Sequence, residues 1–502
     1  MTEWMLAGLG YSLAPGNILA MVLGVFVGMA AGAIPGLSGA AAMTMLLPLT
    51  FVFPAETGIL FLLAIWNAAV YAGSIPGIVL NIPGTAAAAS VAIEGHLMAR
   101  KGLARRALRA SVIGSTIGGV VSALSLLFLS PPLAQLSLLF GPAEMFSFAF
   151  FGMATVVSLT SGALLKGLLS ALIGLLLATV GIAPTGDNRF VFTPDFITGF
   201  PLIPTLVGLF TIPVVLGLIR EQRQRVAQDT RGMWAPDSFL FKLADWGRHW
   251  FNFVRSSVIG VVVGVLPGAG PTIAGFISYS EAKRAAKPAD EYGKGEAGGV
   301  IAADTANNAA IFSSLVPALT LGIPGSVDAV IILAALTMHG LLPGPTLFRQ
   351  NPEVVYTVFM GIFVVNAIML VTGVLFAKYI ANVTRIRLSL LAPGILSLAL
   401  LGAFSVRNDL WDVLLALTVG LVGYVLHKLG LSLAALILGL ILGDILETHF
   451  HQAVILYDNV WDAFIERPVS LVLLVLAFAS MGYSIWRDLK SRRSNGGGPP
   501  AH

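Results

Sequence analysis

The residues best placed to do chemistry in this chain stand at four Pro-Gly breaks in otherwise apolar stretches: Pro35-Gly36, Pro83-Gly84, Pro267-Gly268 and Pro324-Gly325. Proline removes a backbone donor and glycine relaxes the backbone, so each break leaves carbonyls and N–H groups without helical partners. In hydrocarbon such groups are costly unless something satisfies them. Helix N-termini exposed at a break carry roughly half an elementary positive charge and attract anions. Free carbonyls beside Ser, Thr or Asn oxygens suit Na⁺ instead. On this basis Pro35, Gly36, Ser38, Gly39, Gly84 and Thr85 form the first half of a candidate anion cradle. Pro267, Gly268, Ala269, Gly270, Gly325 and Ser326 form the second half. Asn81, Pro83, Thr85, Asn307, Asn308 and Pro324 are the candidate cation ligands. Adjacent amides such as Asn307-Asn308 in an apolar segment need several partners, whereas Ser38 or Thr272 alone could be a helix cap or an interhelix hydrogen bond.

The breaks recur in order. GAIPGLSG at 32–39 returns as GVLPGAG at 264–270, and LNIPGTA at 80–86 returns as LGIPGSV at 321–327. Pro35 and Pro267 are 232 residues apart, and Pro83 and Pro324 are 241 apart, which points to an internal duplication. The elements carrying the breaks must lie in lipid. Of 502 residues 57% are hydrophobic and 11% charged, against roughly 25% charged in soluble domains. At about 20 residues per span the length allows roughly ten to twelve membrane segments. The expected class is an all-α polytopic membrane protein. A β-barrel is disfavoured, because 168–180 is apolar on nearly every side where barrel strands would alternate. The chain has no cysteine, which excludes disulfides, thiolate metal sites and cysteine nucleophiles. Its net charge of +4 sits in loops and reads as topology rather than nucleic-acid binding. With no Lys or Arg before Arg100, no cleaved signal peptide is expected.

Five clusters hold 23 of the 29 basic residues: Arg100 to Arg109, Arg220 to Arg255, Lys283 to Lys294, Lys378 to Arg387 and Arg487 to Arg493. The positive-inside rule places all five in the cytoplasm. Four apolar stretches lie between Arg109 and Arg220, and four more after Arg387, so the flanking clusters agree in side. The loop FVFPAETG has no base where its counterpart EAKRAAKPADEYGKGE has four, and after the second break the contrast reverses. The repeats are therefore expected to be inverted. Residues 1–219 form the first, with a re-entrant hairpin at 17–50, a broken helix at 58–97 and four spans. A cytoplasmic linker covers 220–255. The second repeat occupies 256–486, with a hairpin at 256–280, a broken helix at 297–340 and further spans. The Gly/Pro-containing segment 487–502 is expected to be a disordered cytoplasmic tail. Inverted repeats with matched discontinuous helices are the architecture of secondary transporters, whose substrate lies between the breaks.

The stretches GAIPGLSGAAAMTMLLPLTF, GSIPGIVLNIPGTAAAASVAIEGHLMARKGLARRAL, LPGAGPTIAGFISYSEAKR, YGKGEAGGVIAADTANNAA and LTLGIPGSVDAVIILAALTMHGLLPGPTLF resemble the large membrane subunit of the tripartite tricarboxylate transporters, the TctA family. The resemblance implies a multi-pass permease of the bacterial inner membrane. It would work with a small four-helix membrane subunit and a periplasmic solute-binding protein that delivers an organic carboxylate. Import in the family is driven by an ion gradient, and Na⁺ is the expected coupling ion with H⁺ as the alternative. No cofactor and no metal beyond the transported cation are expected, nor any nucleic-acid partner. The family's signature positions map to Pro35, Gly36, Asn81, Pro83, Gly84, Thr85, Pro267, Gly268, Gly270, Asn307, Asn308, Pro324, Gly325 and Ser326. Relatives commonly read PGLGP where this chain has Ser38-Gly39, and Glu where it has Asp304.

A third departure is Asp328, two residues after the cradle, where a carboxylate would repel a trianion. It pairs with a cation, lies on another helix face, or reports a less anionic substrate. Glu94 is expected to pair with the basic loop that follows it. Asp444 and Glu447 are expected at an interface, and Lys166 and Glu144 as isolated charges that snorkel or lie in loops. His96, His339 and His449 form no recurring spacing, so no metal site is expected among them. A membrane-embedded enzyme of aspartyl protease or acyltransferase type is one rival, with Asp304 and Asp328 as its candidate pair, although HExxH and GxSxG do not occur. A passive channel is the other.

Overall fold

The computed structural model describes residues 2–159, 164–221, 243–268, 270–287, 290–380, 388–457 and 460–494. Ala269, most of the expected linker and the last eight residues lie outside that set. Hydrocarbon admits only segments that pair their own backbone groups, and the described chain is almost entirely helical. The elements are α1 (Thr2–Ser12), α2 (Pro15–Ala33), α3 (Gly39–Leu46), α4 (Ala55–Leu80), α5 (Ala89–Arg100), α6 (Ala104–Ser137), α7 (Pro142–Leu159) and α8 (Leu164–Ala178). A two-residue ribbon, β1 (Gly181–Ile182) antiparallel to β2 (Asn188–Arg189), pairs Gly181 with Arg189. There follow α9 (Leu202–Glu221), α10 (Leu243–Val265), α11 (Gly270–Arg284), α12 (Ala297–Ser313), α13 (Leu315–Leu321), α14 (Val327–Met338) and α15 (Pro345–Gln350). The chain closes with α16 (Pro352–Ile380), α17 (Leu388–Arg407), α18 (Leu410–Lys428), α19 (Leu433–Leu456), α20 (Val460–Ile465) and α21 (Pro468–Ser494). Among the described residues seven helices, α2, α4, α6, α16, α18, α19 and α21, are long and apolar enough to cross a bilayer. The chain is a multi-pass α-helical membrane protein.

Helix α4 is the central post, with its whole apolar window buried. Helix α2 runs along it through Gly24, Gly28 and Gly32. A Cβ at these positions would stand 2.6, 2.3 and 2.2 Å from the carbonyl oxygens of Phe61, Ile65 and Ala69. Lipid supplies no hydrophobic drive between helices, so small residues that let backbones touch take over that role. Helix α10 meets α12 in the same manner. A Cβ on Gly260 or Gly264 would lie 2.5 or 2.7 Å from the oxygens of Ala306 and Ala310. Gly28 and Gly32 are offset from Gly260 and Gly264 by 232 residues, and Ile65 and Ala69 from Ala306 and Ala310 by 241, the offsets of the breaks themselves. Around this centre α18 packs on α9, α19 on α8 and α7, and α21 on α7. Leu165, Leu172, Leu414, Leu421, Val472 and Val475 on these outer helices are exposed, as lipid contact requires.

Three boundaries differ from the sequence expectation. Helix α10 begins at Leu243, so 243–255 is helical rather than linker. That stretch is amphipathic: His249 and Asn252 are buried while Trp250, Phe251 and Val254 are exposed, a pattern that hydropathy alone undercounts. The second broken element contains an additional turn at Ser314, between α12 and α13. Helix α21 continues to Ser494, through a run of helix-forming residues free of Gly and Pro, so the expected tail is shortened.

Candidate functional site

The breaks at Pro83-Gly84 and Pro324-Gly325, the later one in each half, share one backbone design. Helix α4 ends on Asn81 at φ 56° and α13 on Gly322 at φ 73°, both in the left-handed region. Ile82 N–H donates to Pro76 O at 3.4 Å, and Ile323 N–H to Pro317 O at 3.4 Å. Gly84 N–H donates to Gly73 O at 2.9 Å, and Gly325 N–H to Ser314 O at 3.2 Å. Each of these atoms in the second linker is 241 residues beyond its counterpart. Glycine and asparagine are the residues that tolerate this cap, which gives Asn81 a backbone role, and its side chain lies at the exposed end of α4.

The earlier breaks dock onto these linkers. A Cβ on Gly84 would stand 1.9 Å from Gly32 O, and one on Gly325 would stand 3.0 Å from Gly264 O. Gly268 N–H donates to Gly325 O at 2.8 Å. Gly36 at φ 91° and Gly268 at φ 80° turn the chain at the two tips. Beyond the tips, Ser38 caps α3 by accepting from Ala41 N–H at 3.1 Å, and Ser326 caps α14 by accepting from Ala329 N–H at 3.2 Å. Helix α3 lies against α14, while α11 lies against the 3₁₀ turn Ala86–Ala88 that follows the first linker. A Cβ on Gly270 would be 4.0 Å from the Ser326 Cβ, and one on Gly39 would be 3.8 Å from Asp328 Oδ1. The N-termini of α3, α11 and α14 therefore meet around the start of α14, combining residues from both halves of the chain.

Pro35, Gly39, Pro267, Pro324, Gly325 and Ser326 are buried in this region. Gly36 is exposed, Ser38, Pro83, Thr85, Gly268 and Gly270 are half-buried, and Ala269 is outside the described residues. Asp328 faces Gly39 at the first tip, so the alternative that it lies on another face does not hold. Asn307 and Asn308 are fully buried but point apart. Asn307 Nδ2 donates to Ala87 O at 2.8 Å, whereas Asn308 Nδ2 donates to Ser115 Oγ at 2.9 Å on α6. The two amide nitrogens thus serve different neighbours.

The charged groups named from the sequence have partners that the sequence did not indicate. Glu94 is fully buried, and its carboxylate accepts from Tyr279 Oη at 2.8 Å and from the N–H groups of Gly293, Gly295 and Glu296 at 2.5, 2.7 and 3.0 Å. The expected partner in the following basic loop is replaced by the turn before α12, whose glycines at φ 86° and 92° aim their amides inward. Glu144 is not isolated either. It accepts from Arg467 at 2.8 Å and from Gly141 N–H at 2.8 Å, because burial requires a partner. Lys166 Nζ donates to Leu429 O at 2.8 Å at the end of α18. Glu447 pairs with Arg189 of the ribbon at 2.7 Å. Asp304 is fully buried in α12 and accepts from Ser74 Oγ of α4 at 2.9 Å. Asp304 thus faces α4, whereas Asp328 faces Gly39 at the first tip. Among the described residues no group of three His, Asp or Glu could hold a metal ion.

A family model described as tripartite tricarboxylate transporter TctA family matches residues 18–438. An uncharacterized 52.8 kDa protein in the TAR-I ttuC' 3'region of Agrobacterium vitis is 32% identical over 488 residues, covering 97% of this chain and 96% of that protein. An uncharacterized protein in the TAR-II ttuC' 3'region of the same organism is 32% identical over 234 residues, 47% of this chain and 97% of its own length. No solved structure matches.

Proposed function

Since the chain belongs to the tripartite tricarboxylate transporter TctA family, we propose that it is the permease subunit of a cation-gradient-driven importer of organic carboxylates. One observation carries this reading: two linkers of the same backbone geometry, 241 residues apart, are each gripped by a Pro-Gly tip, and three helix N-termini meet between the halves. Such ends offer unpaired N–H groups and positive partial charge to a carboxylate without burying a cationic side chain. The repeated geometry supports two copies of one unit, and the charge reversal of their loops supports inversion, with the site exposed to each side in turn. In this reading Ser38, Gly39, Gly270 and Ser326 line the carboxylate site. Na⁺ is the coupling ion, H⁺ being the alternative, and the buried amides and linker carbonyls contribute to holding it. The protein lies in the bacterial inner membrane with its C-terminus in the cytoplasm. It works with a small four-helix membrane subunit and a periplasmic solute-binding protein that sets substrate choice.

The test is uptake by the reconstituted permease with its partner subunits, using labelled tri-, di- and monocarboxylates under an imposed Na⁺ gradient. Accumulation that collapses with the gradient is expected, and Asn308→Ala and Asn81→Ala should reduce it far more than they reduce membrane insertion. Equilibration that ignores every cation gradient would indicate a passive channel and end the reading. A carboxylate-binding screen on the periplasmic partner then identifies the substrate.

A further inference from the structure

Helix α6 turns a row of serines toward α12, and the facing residues of α12 are polar too. Asn308 Nδ2 meets Ser115 Oγ at 2.9 Å, and Ser313 meets both Ser122 and Ser125, at 3.2 and 2.8 Å. One turn before Ser115 on the same face stands Ser111, and one turn before Asn308 stands Asp304. From the third side, α4 contributes Ser74 to Asp304 Oδ1 at 2.9 Å. All of Ser74, Ser111, Ser115, Asp304, Thr305 and Asn308 are 0% exposed.

The polar atoms here are out of balance. Asp304 Oδ2, Asn308 Oδ1 and Thr305 Oγ1 are buried with no hydrogen-bond partner, and the Ser111 hydroxyl stands within reach of the Asp304 carboxylate. The amide nitrogen of Asn308 is fully used, by Ser115 and by Asp304 O at 3.0 Å. Asp304 Oδ2 and Asn308 Oδ1 can only accept, whereas the hydroxyls of Ser111 and Thr305 can turn a lone pair toward a cation, and among the described residues no Lys or Arg forms an ion pair with Asp304. An uncompensated buried carboxylate is among the costliest arrangements in a fold. Hard oxygen donors in surplus around one negative charge suit a small alkali cation.

We propose that Asp304 is the anionic ligand of a Na⁺ site between α4, α6 and α12, completed by the hydroxyls of Ser74, Ser111 and Thr305 and the amide oxygen of Asn308. The site rests on the importer reading for its role and deepens it, because it moves the coupling cation from the Pro-Gly linkers to the helix that leads into the second of them. Helix α12 precedes the second linker through α13, and Ser74 lies beside Gly73, whose carbonyl accepts from Gly84 of the first linker. A cation holding Asp304 to Ser74 and Ser111 would therefore tie both linkers to α6.

The test is Na⁺ binding to the purified full-length permease without substrate. Binding is read as a saturable, Na⁺-specific rise in melting temperature against choline chloride at constant ionic strength, and directly with labelled ²²Na⁺. The wild type is expected to bind. Asp304→Asn should raise the half-saturating Na⁺ concentration at least tenfold, Ser74→Ala and Ser111→Ala severalfold, and Asp304→Glu should retain binding. Should Asp304→Asn fail to fold, the two serine variants carry the test, and an unchanged half-saturation in both overturns the proposal. So does unchanged binding by Asp304→Asn, or a wild type that binds no Na⁺. If Na⁺ binds through Asp304 but no carboxylate is transported, the site stands and the importer reading falls. If uptake proceeds on a proton gradient with no Na⁺ binding, the reading stands and the site falls.

Discussion

Glu94→Gln removes one negative charge and keeps the side-chain volume. In the native structure the two carboxylate oxygens take four hydrogen bonds, two each, from Tyr279 and three backbone amides of the turn before α12. Hydrogen bonds to a charged group contribute about 1.5–3 kcal/mol each. Glutamine keeps one acceptor oxygen that can serve one pair of donors, and turns an NH₂ toward the other pair. Two bonds are lost and two weakened, while the removal of a buried charge offsets part of the loss. The net cost is about 2–4 kcal/mol, borne by the local unit that ties α5 to the 290–296 turn. Lys294 lies within that turn, between Gly293 and Gly295, with an exposed side chain. Trypsin cleavage at Lys294 in detergent, at low protease concentration where reclosing outruns cutting, reports the opening equilibrium. At about 1.4 kcal/mol per decade, the variant should be cut about 30 to 1,000 times faster than wild type. Tyr279→Phe, which removes one bond to the carboxylate, should give about 10- to 140-fold, and the double variant less than the product of the two. A Glu94→Gln rate within threefold of wild type would refute the account of the clasp.

Gly84→Ala should abolish folded, transport-competent protein, because its Cβ would stand 1.9 Å from Gly32 O, whereas Gly10→Ala, with nothing within 4 Å, should change stability by less than about 0.5 kcal/mol; folded yield by size-exclusion profile checks both. Glu144→Gln and Arg467→Gln should each cost about 1–3 kcal/mol in denaturant titration, and the double variant less than their sum, since the two side chains meet at 2.8 Å. Asp328→Asn should shift the uptake ratio of tri- to monocarboxylate upward by about tenfold, as a negative charge leaves the meeting point of α3 and α14; an unchanged ratio in competition assays would count against its position in the cradle. In the loop before α12, the hydrogen bond from Arg248 holds the Asp290 carboxyl below its ordinary value of 3.8. A depressed carboxyl stabilises the fold above its unfolded value and loses that contribution as pH falls through the folded one, so amide protection in 285–296 should weaken only below about pH 3.8.

Much of this molecule was legible in its sequence, for a physical reason. Lipid admits only helices and closed barrels, and a chain with 11% charge whose apolar runs, such as 168–180, do not alternate is read as a set of apolar helices whose order follows from hydropathy. The breaks were legible because Pro and Gly act locally: Gly36, Gly268 and Gly322 each take the left-handed turn their position requires, the offset of 241 residues reappears in the backbone hydrogen bonds, and that of 232 in the close glycine approaches. The amphipathic start of α10 at Leu243 was missed because half of its residues are polar. What tertiary structure alone decided are the partners of the few buried charges. Glu94 meets donors about 200 residues away, Glu144 meets Arg467, and Asp304 meets Ser74, 230 residues apart. No periodicity encodes such pairings. They are selected by which helix faces are pressed together where water is excluded, and the cost of an unpaired charge there is what makes each of them specific.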